Sequence, residues 1–118
     1  MMQSNQNQDS AVNSAAAMLI GRTGGLSLME QDILHYTYSE FIPGTRDDCM
    51  YLEEAYRVFT WEKGHIEYVA FTRCFIDFAV KLHGAVRAYQ CRLGETTPQL
   101  CLRGLQFRYA AEYRKSRG

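Results

Sequence analysis

The amino-acid sequence predicts a small α+β domain in which three helices precede a β-hairpin. Up to His83, apolar side chains recur at the spacing of a helix. From Val86 onward, apolar and polar residues alternate as they do in a half-buried strand. A chain of 118 residues can bury one hydrophobic core. We therefore expect a single domain over residues 27–108, followed by a basic tail or short helix over residues 109–118.

The first 26 residues are predicted to form a flexible segment. Residues 1–9 are polar and rich in Asn and Gln, and they contain too few apolar side chains to bury. Residues 11–20 can form a short helix between Ser10 and Gly21. No stretch is long and apolar enough to cross a bilayer, and the start lacks the order of a signal peptide. We therefore expect a cytoplasmic protein without membrane contact.

The first helix of the domain is predicted from its start and stop signals. Ser27 and Glu30 have the spacing of a capping box. The Pro43-Gly44 pair is expected to end the helix. Apolar residues between these points form a stripe that can face a core. The stripe comprises Met29, Ile33, Leu34, Tyr38 and Phe41.

The second helix is predicted to begin at Thr45, with Asp48 three residues later, and to end at Lys63 and Gly64. Acidic residues near its start and a lysine at its end both suit the helix dipole. We expect one face of this helix to be buried in the core. That face comprises Leu52, Ala55, Tyr56 and Phe59.

The third helix has the clearest helical pattern in the chain, and Gly84 is predicted to end it. Its apolar stripe comprises Phe71, Phe75, Phe78 and Leu82. An aromatic stripe at this spacing is typical of a core rather than of a cofactor pocket. The polar residues on another side of the same helix are Thr72, Arg73, Asp77 and Lys81.

A β-hairpin is predicted around the Gly-Glu-Thr-Thr-Pro turn, and its register decides what two cysteines can do. Direct pairing of Cys91 with Cys101 would leave each face of the hairpin half apolar. Pairing Leu93 with Leu100 and Cys91 with Leu102 instead places the apolar side chains on one face. In this register Cys91 packs inward and Cys101 is exposed on the opposite face. We therefore expect neither a disulfide nor shared metal ligation.

The formal net charge of zero conceals an uneven distribution along the chain. Residues 1–56 carry two basic against eight acidic residues, whereas residues 57–118 carry eleven basic against five. Opposite charge in two halves of one domain indicates a basic face, which is typical of nucleic-acid binding. Alternatively, the two halves neutralise each other or promote head-to-tail self-association.

Three helices followed by a hairpin, with basic residues concentrated from the third helix onward, is the order of a winged helix-turn-helix domain. The stretches EFIPGTRDDCMYLEEAYRVFTWEKG, FTRCFIDFAVKLHG and LRGLQF also resemble the C-terminal winged-helix domain of phage, plasmid and poxvirus-type primase-helicases. The resemblance covers residues 27–108. The matching positions are Leu52, Tyr56, Phe59, Gly64, Phe75, Gly84, Arg103, Gly104 and Leu105.

This resemblance implies a nucleic-acid-binding module that stands alone. The winged-helix order, in which the third helix enters the major groove, favours double-stranded DNA as the partner. In that family the module follows a helicase motor. Here the GRTGG stretch has neither the spacing nor the lysine of a Walker loop, so helicase or primase activity is not implied. What remains is a small DNA-binding regulator, or an accessory factor for the replication or maintenance of a phage or plasmid.

Candidate contact residues follow from the charges on the third helix and the hairpin. Arginine can read guanine bidentately, whereas lysine mainly binds phosphate. Asp77 disfavours a close approach to phosphates unless it pairs with a cation or accepts from a cytosine amine. The candidates for groove contacts on the helix are Thr72, Arg73 and Lys81, and those for phosphate contacts on the hairpin are Arg87, Arg92 and Arg103.

Two other classes of function were weighed against this one. Three scattered histidines and the absence of a Cys-x-x-Cys pair predict no enzyme, metal site, cofactor or small-molecule ligand. The competing hypothesis is a protein-interaction or dimerisation module, with Ile76, Val80 or Trp61 as exposed contacts. A repressor that reads a palindrome would also be a homodimer. The SAAAMLI stretch or the Tyr109–Tyr113 stretch could supply that interface.

Overall fold

The computed structural model of the protein describes residues 25–117, over which helices and short antiparallel strands alternate. The predicted segment 1–26, with its helix over residues 11–20, lies almost wholly outside the described residues. Across residues 25–117, no helix combines the length and the apolar character that a membrane span requires. The elements are α1 (Leu28–Glu40), β1 (Phe41–Pro43), β2 (Cys49–Tyr51), α2 (Leu52–Lys63), α3 (Tyr68–His83), β3 (Val86–Gln90), β4 (Gln99–Arg103), β5 (Leu105–Phe107) and α4 (Arg108–Arg117).

The α+β class is confirmed, and the strands form two small antiparallel sheets. In the first sheet, β4 lies between β2 and β3. In the second, β1 pairs with β5, so that Phe41 lies opposite Phe107. Strands β1 and β2 belong to different sheets, and both precede α2. The sequence predicted no strand in this part of the chain. The C-terminal segment forms a helix, which was one of its two predicted states.

Helix α1 begins as predicted but ends earlier. Ser27 Oγ accepts from the Glu30 backbone N–H at 3.1 Å, and Glu30 Oε1 accepts from the Ser27 N–H at 2.9 Å, which confirms the capping box. The helix stops at Glu40 because Pro43 disfavours helical backbone in the residue before it, and because Phe41 pairs with β5. The buried residues of α1 are Ile33, Leu34, Tyr36 and Thr37.

The predicted start of the second helix at Thr45 is wrong. Asp48 and Thr45 do interact, but the Asp48 carboxylate accepts from the Thr45 backbone N–H at 2.7 Å and closes a turn between β1 and β2. The chain then pairs with β4 before the helix begins at Leu52. The helix ends at Lys63, followed by Gly64, as predicted. Its fully buried residues are Leu52, Ala55 and Phe59.

The core is built around the aromatic stripe of α3, which is confirmed. Phe71, Phe75 and Phe78 are buried, and Leu82 packs against the core while partly exposed. Aromatic rings from other elements complete this cluster, and Tyr36 lies at its centre. The rings within about 6 Å of the Tyr36 ring belong to Phe41, Phe59, Phe71 and Phe75.

The predicted hairpin register is wrong. Leu100 lies opposite Tyr89 rather than Leu93, and Cys101 lies opposite Ala88. The shift is an even number of residues, so it leaves each side chain on its expected face. Cys101 is nevertheless buried and Cys91 exposed, the reverse of the expected arrangement. The successive residues Cys101 and Leu102 point to opposite faces and both are buried, so both faces of β4 are covered here, whereas Cys91 lies beyond the end of β3.

Candidate nucleic-acid interface

The outer face of α3 carries three charged residues at intervals of one helical turn. Burial of the phenylalanine stripe turns Arg73, Asp77 and Lys81 towards solvent. Asp77 pairs with Lys81, since Oδ1 lies 3.0 Å from Nζ. Both side chains of this pair are about half exposed, so the pair is weak and a phosphate could replace the carboxylate at little cost. Arg73 makes no hydrogen bond or ion pair with any described residue.

Thr72 does not belong to this surface. Its exposed fraction is 8%, and its hydroxyl donates to the Val69 carbonyl oxygen at 3.1 Å. The sequence interpretation placed Thr72 beside Arg73 on the polar side of α3. However, Thr72 lies next to Phe71 and follows it into the interior, so it is removed from the candidate contact residues.

Arg92 lies near the turn of the hairpin and contacts two other residues. Its guanidinium carbon lies 4.3 Å from the centroid of the Tyr51 ring. Its Nη2 lies 3.3 Å from Glu53 Oε1 at the start of α2. These contacts hold the turn region against α2. A phosphate bound by Arg92 would therefore compete with the Glu53 carboxylate.

The other two hairpin arginines lie at the open end of the hairpin, away from the turn. A strand as long as β3 spans roughly 13 Å, at about 3.3 Å per residue, which separates this end from Arg92. Arg103 lies opposite Val86, whereas Arg87 lies opposite Leu102, one position along. Because successive side chains alternate between faces, Arg87 and Arg103 lie on opposite faces of the sheet. The three hairpin arginines therefore do not form one surface.

Arg103 instead belongs to a cleft of about 440 Å³ at the open end of the hairpin. Two other basic side chains, Arg46 and His83, line the same cleft. Arg46 lies in the β1–β2 connection, and neither its guanidinium nor that of Arg103 makes a hydrogen bond or ion pair with any described residue. The remaining lining residues are Pro43, Gly44, Gly84, Val86 and Gly104.

The sequence interpretation missed both Arg46 and His83 as members of a site. Arg46 is a single basic residue in an acidic segment, and no local pattern connects it with Arg103. The pairing of β2 with β4 and that of β1 with β5 bring the two arginines to the same cleft. His83 is the last residue of α3, beside the Gly84 that was predicted to end this helix.

His83 contributes a ring to the wall of the cleft but little positive charge. Burial lowers the pKa of its imidazole, and the nearby Arg108 guanidinium lowers it further, although the Thr37 carbonyl acts in the opposite direction. The ring is therefore mainly neutral near pH 7. The positive charge of the cleft comes from Arg46 and Arg103.

A second exposed surface is apolar and flanks the connection between α2 and α3. Trp61 near the end of α2 is 89% exposed, and Val69 in the first turn of α3 is 64% exposed. Tyr68 is partly exposed, and its ring packs edge-on against Tyr56. Of the contacts proposed for an interaction module, Trp61 and Val80 are exposed, whereas Ile76 is half-buried.

Two of the cysteines have thiols that burial keeps protonated. Burial raises the pKa of Cys74, and burial together with the neighbouring Cys49 thiol raises the pKa of Cys101 to about 12. Among residues 25–117, no group of three or more His, Cys, Asp or Glu side chains is arranged to hold a metal ion.

Comparisons of the chain with protein-family models, curated proteins and solved structures found no match.

Proposed function

We propose that the protein is a non-enzymatic winged-helix protein that binds nucleic acid, mainly double-stranded DNA. It would act as a small regulator, or as an accessory factor in replication or maintenance of phage or plasmid type. In this proposal α3 enters the major groove, and the β3–β4 hairpin is the wing that lies along the backbone.

One observation carries the proposal: the pairing of β2 with β4. This pairing joins the hairpin to the chain between α1 and α2, so the hairpin is held beside the helices. A hairpin held this way can approach the same duplex as the outer face of α3. The unpaired Arg73 on that face is the best placed side chain for a base or phosphate contact.

Charge also supports the proposal. Arg73 and Lys81 face solvent on α3, and the turn region carries Arg92. Phosphate contacts by such residues release counterions, so binding should weaken as salt increases. Asp77 is balanced by its ion pair with Lys81, and the α3 face therefore retains a net positive charge through Arg73.

The proposal is tested by fluorescence anisotropy with labelled random-sequence duplex and single-stranded DNA. We expect duplex binding at about 50 mM salt that falls steeply by about 200 mM. Arg73→Ala should weaken binding about three- to tenfold and make the salt dependence shallower by about one ion. The matched control is Lys63→Ala, which removes an exposed cation from the end of α2. Absence of binding to either DNA at low salt would refute the proposal.

A second candidate function, self-association, is favoured by the exposed apolar residues around the α2–α3 connection. Trp61 is nearly fully exposed, which is unusual for tryptophan in a surface without a partner. In this alternative two copies of the chain pair through Trp61 and Val69. Sedimentation equilibrium should then show a dimer that Trp61→Ser dissociates, while exposed Leu28→Ser leaves it intact. A monomer at all concentrations would exclude this alternative.

A further inference from the structure

We propose that the cleft lined by Arg46, His83 and Arg103 binds a small phosphate-bearing molecule. The proposal does not rest on DNA binding by α3, because neither Arg73 nor Lys81 lines the cleft. Its ligand class would be a phosphate monoester with a compact organic group, of the size of a mononucleotide.

The charge of the cleft fits a phosphate. Two guanidinium groups from separate parts of the fold line it, and none of its lining residues is acidic. Each arginine presents several N–H donors in a planar fork that matches phosphate oxygens. The carboxylate beside the cleft, that of Asp48 next to Gly44, accepts from the Thr45 backbone N–H and so has its own partner.

The shape of the cleft leaves room for a ligand to approach the backbone. Gly84 and Gly104 have φ angles of 71° and 78°, and a Cβ added at either would meet nothing within 4 Å. The part of the wall formed by these two glycines therefore carries no side chains. Pro43 and Val86 add apolar surface that can pack against an organic group. A volume of about 440 Å³ lies within the range of small-molecule sites.

The lining of the cleft favours a free phosphate compound over a phosphate of the DNA backbone. Besides its two arginines the cleft presents the apolar side chains of Pro43 and Val86, which a backbone phosphate would leave uncovered. A free phosphate ester covers them with its organic group, and it would connect β1, α3 and β4, which all contribute lining residues.

The experiment is titration of the full chain with inorganic phosphate and with AMP, followed by isothermal calorimetry and by the midpoint of thermal unfolding. Sodium chloride at matched ionic strength is the reference. We expect saturable binding that stabilises the fold, with AMP tighter than phosphate because of the apolar wall. Arg46→Gln and Arg103→Gln should each weaken AMP binding at least about tenfold. Arg57→Gln, which removes an exposed arginine outside the cleft, should leave it unchanged.

Two results would overturn the proposal. One is the absence of a saturable signal with phosphate or AMP up to about 10 mM, a concentration above the largest dissociation constant expected of a specific binding site. The other is that Arg46→Gln weakens duplex DNA binding while wild type binds no AMP, which would assign the cleft to the DNA backbone. Circular dichroism of the exposed-arginine variants shows that any loss of binding occurs in folded protein.

Discussion

His83 Nε2 donates to the carbonyl oxygen of Thr37 at 2.8 Å, and thereby joins the end of α3 to the last turn of α1. A carbonyl oxygen can only accept, so Nε2 carries the proton. The carbonyls at the end of a helix have no partner within it, and α1 has no basic residue in its own last turn. A second such carbonyl, that of Ser39, accepts from Arg108 Nε at 2.9 Å. Side chains of α3 and α4 therefore complete the end of α1.

The first prediction concerns pH. The pKa of His83 is lowered in the folded protein relative to its ordinary value of about 6.5, so the unfolded chain binds the proton more readily. The free energy of unfolding should therefore decrease as pH falls from 7 through that ordinary value towards the lowered one. His83→Gln removes the titrating group and should flatten this part of the curve. Urea unfolding of both proteins across this window measures the difference, and parallel curves would contradict the assignment.

The second prediction concerns Tyr36, the aromatic residue at the centre of the core. Its hydroxyl donates to the Ala55 carbonyl oxygen at 2.8 Å, and burial raises its pKa well above the usual range. Tyr36→Phe keeps the ring contacts but removes this buried hydrogen bond, so it should lower the free energy of unfolding by about 1–2 kcal/mol. Tyr38→Phe is the matched control on the less buried side of the same helix and should cost much less. Equal losses in urea unfolding would show that the hydrogen bond contributes little.

The third prediction tests the burial of the two hairpin cysteines. Cys91 is exposed, whereas Cys101 is buried with a raised pKa. A brief pulse of N-ethylmaleimide should label Cys91 first, and Cys101 only when the protein unfolds. Mass spectrometry of the labelled peptides measures the order. The arrangement predicted from the sequence requires the reverse order, so rapid labelling of Cys101 would contradict its observed burial.

The exchanged burial of Cys91 and Cys101 shows which parts of the fold a sequence can predict. The capping box of Ser27 and the stripe headed by Phe71 are local patterns, and both were predicted correctly. Strand β2 has three residues and no alternation, and it exists because it pairs with β4 far along the chain. A hairpin considered alone has one buried face, and Cys101 was assigned to the exposed one, whereas both faces of β4 are covered at Cys101 and Leu102.

The residues of the candidate site show the same difference between local patterns and long-range pairing. The exposure of Arg73 and Lys81 follows from the helical period alone and was predicted. Thr72 was misplaced because a residue next to the apolar stripe of a helix can be either buried or exposed. The proximity of Arg46 to Arg103 could not be predicted, since two strands from distant parts of the sequence create it.

The fourth prediction concerns the ion pair that occupies Arg92. Glu53→Gln removes the carboxylate 3.3 Å from Arg92 Nη2 and frees the guanidinium for phosphate, while the Tyr51 ring still positions it. If the proposed wing contacts DNA, duplex affinity at about 50 mM salt should rise about two- to fivefold, with a stability loss below about 1 kcal/mol. Glu54→Gln removes the same charge from the neighbouring exposed position of α2 without touching Arg92. An equal gain from both variants in fluorescence anisotropy would assign the effect to net charge and exclude Arg92 as a contact.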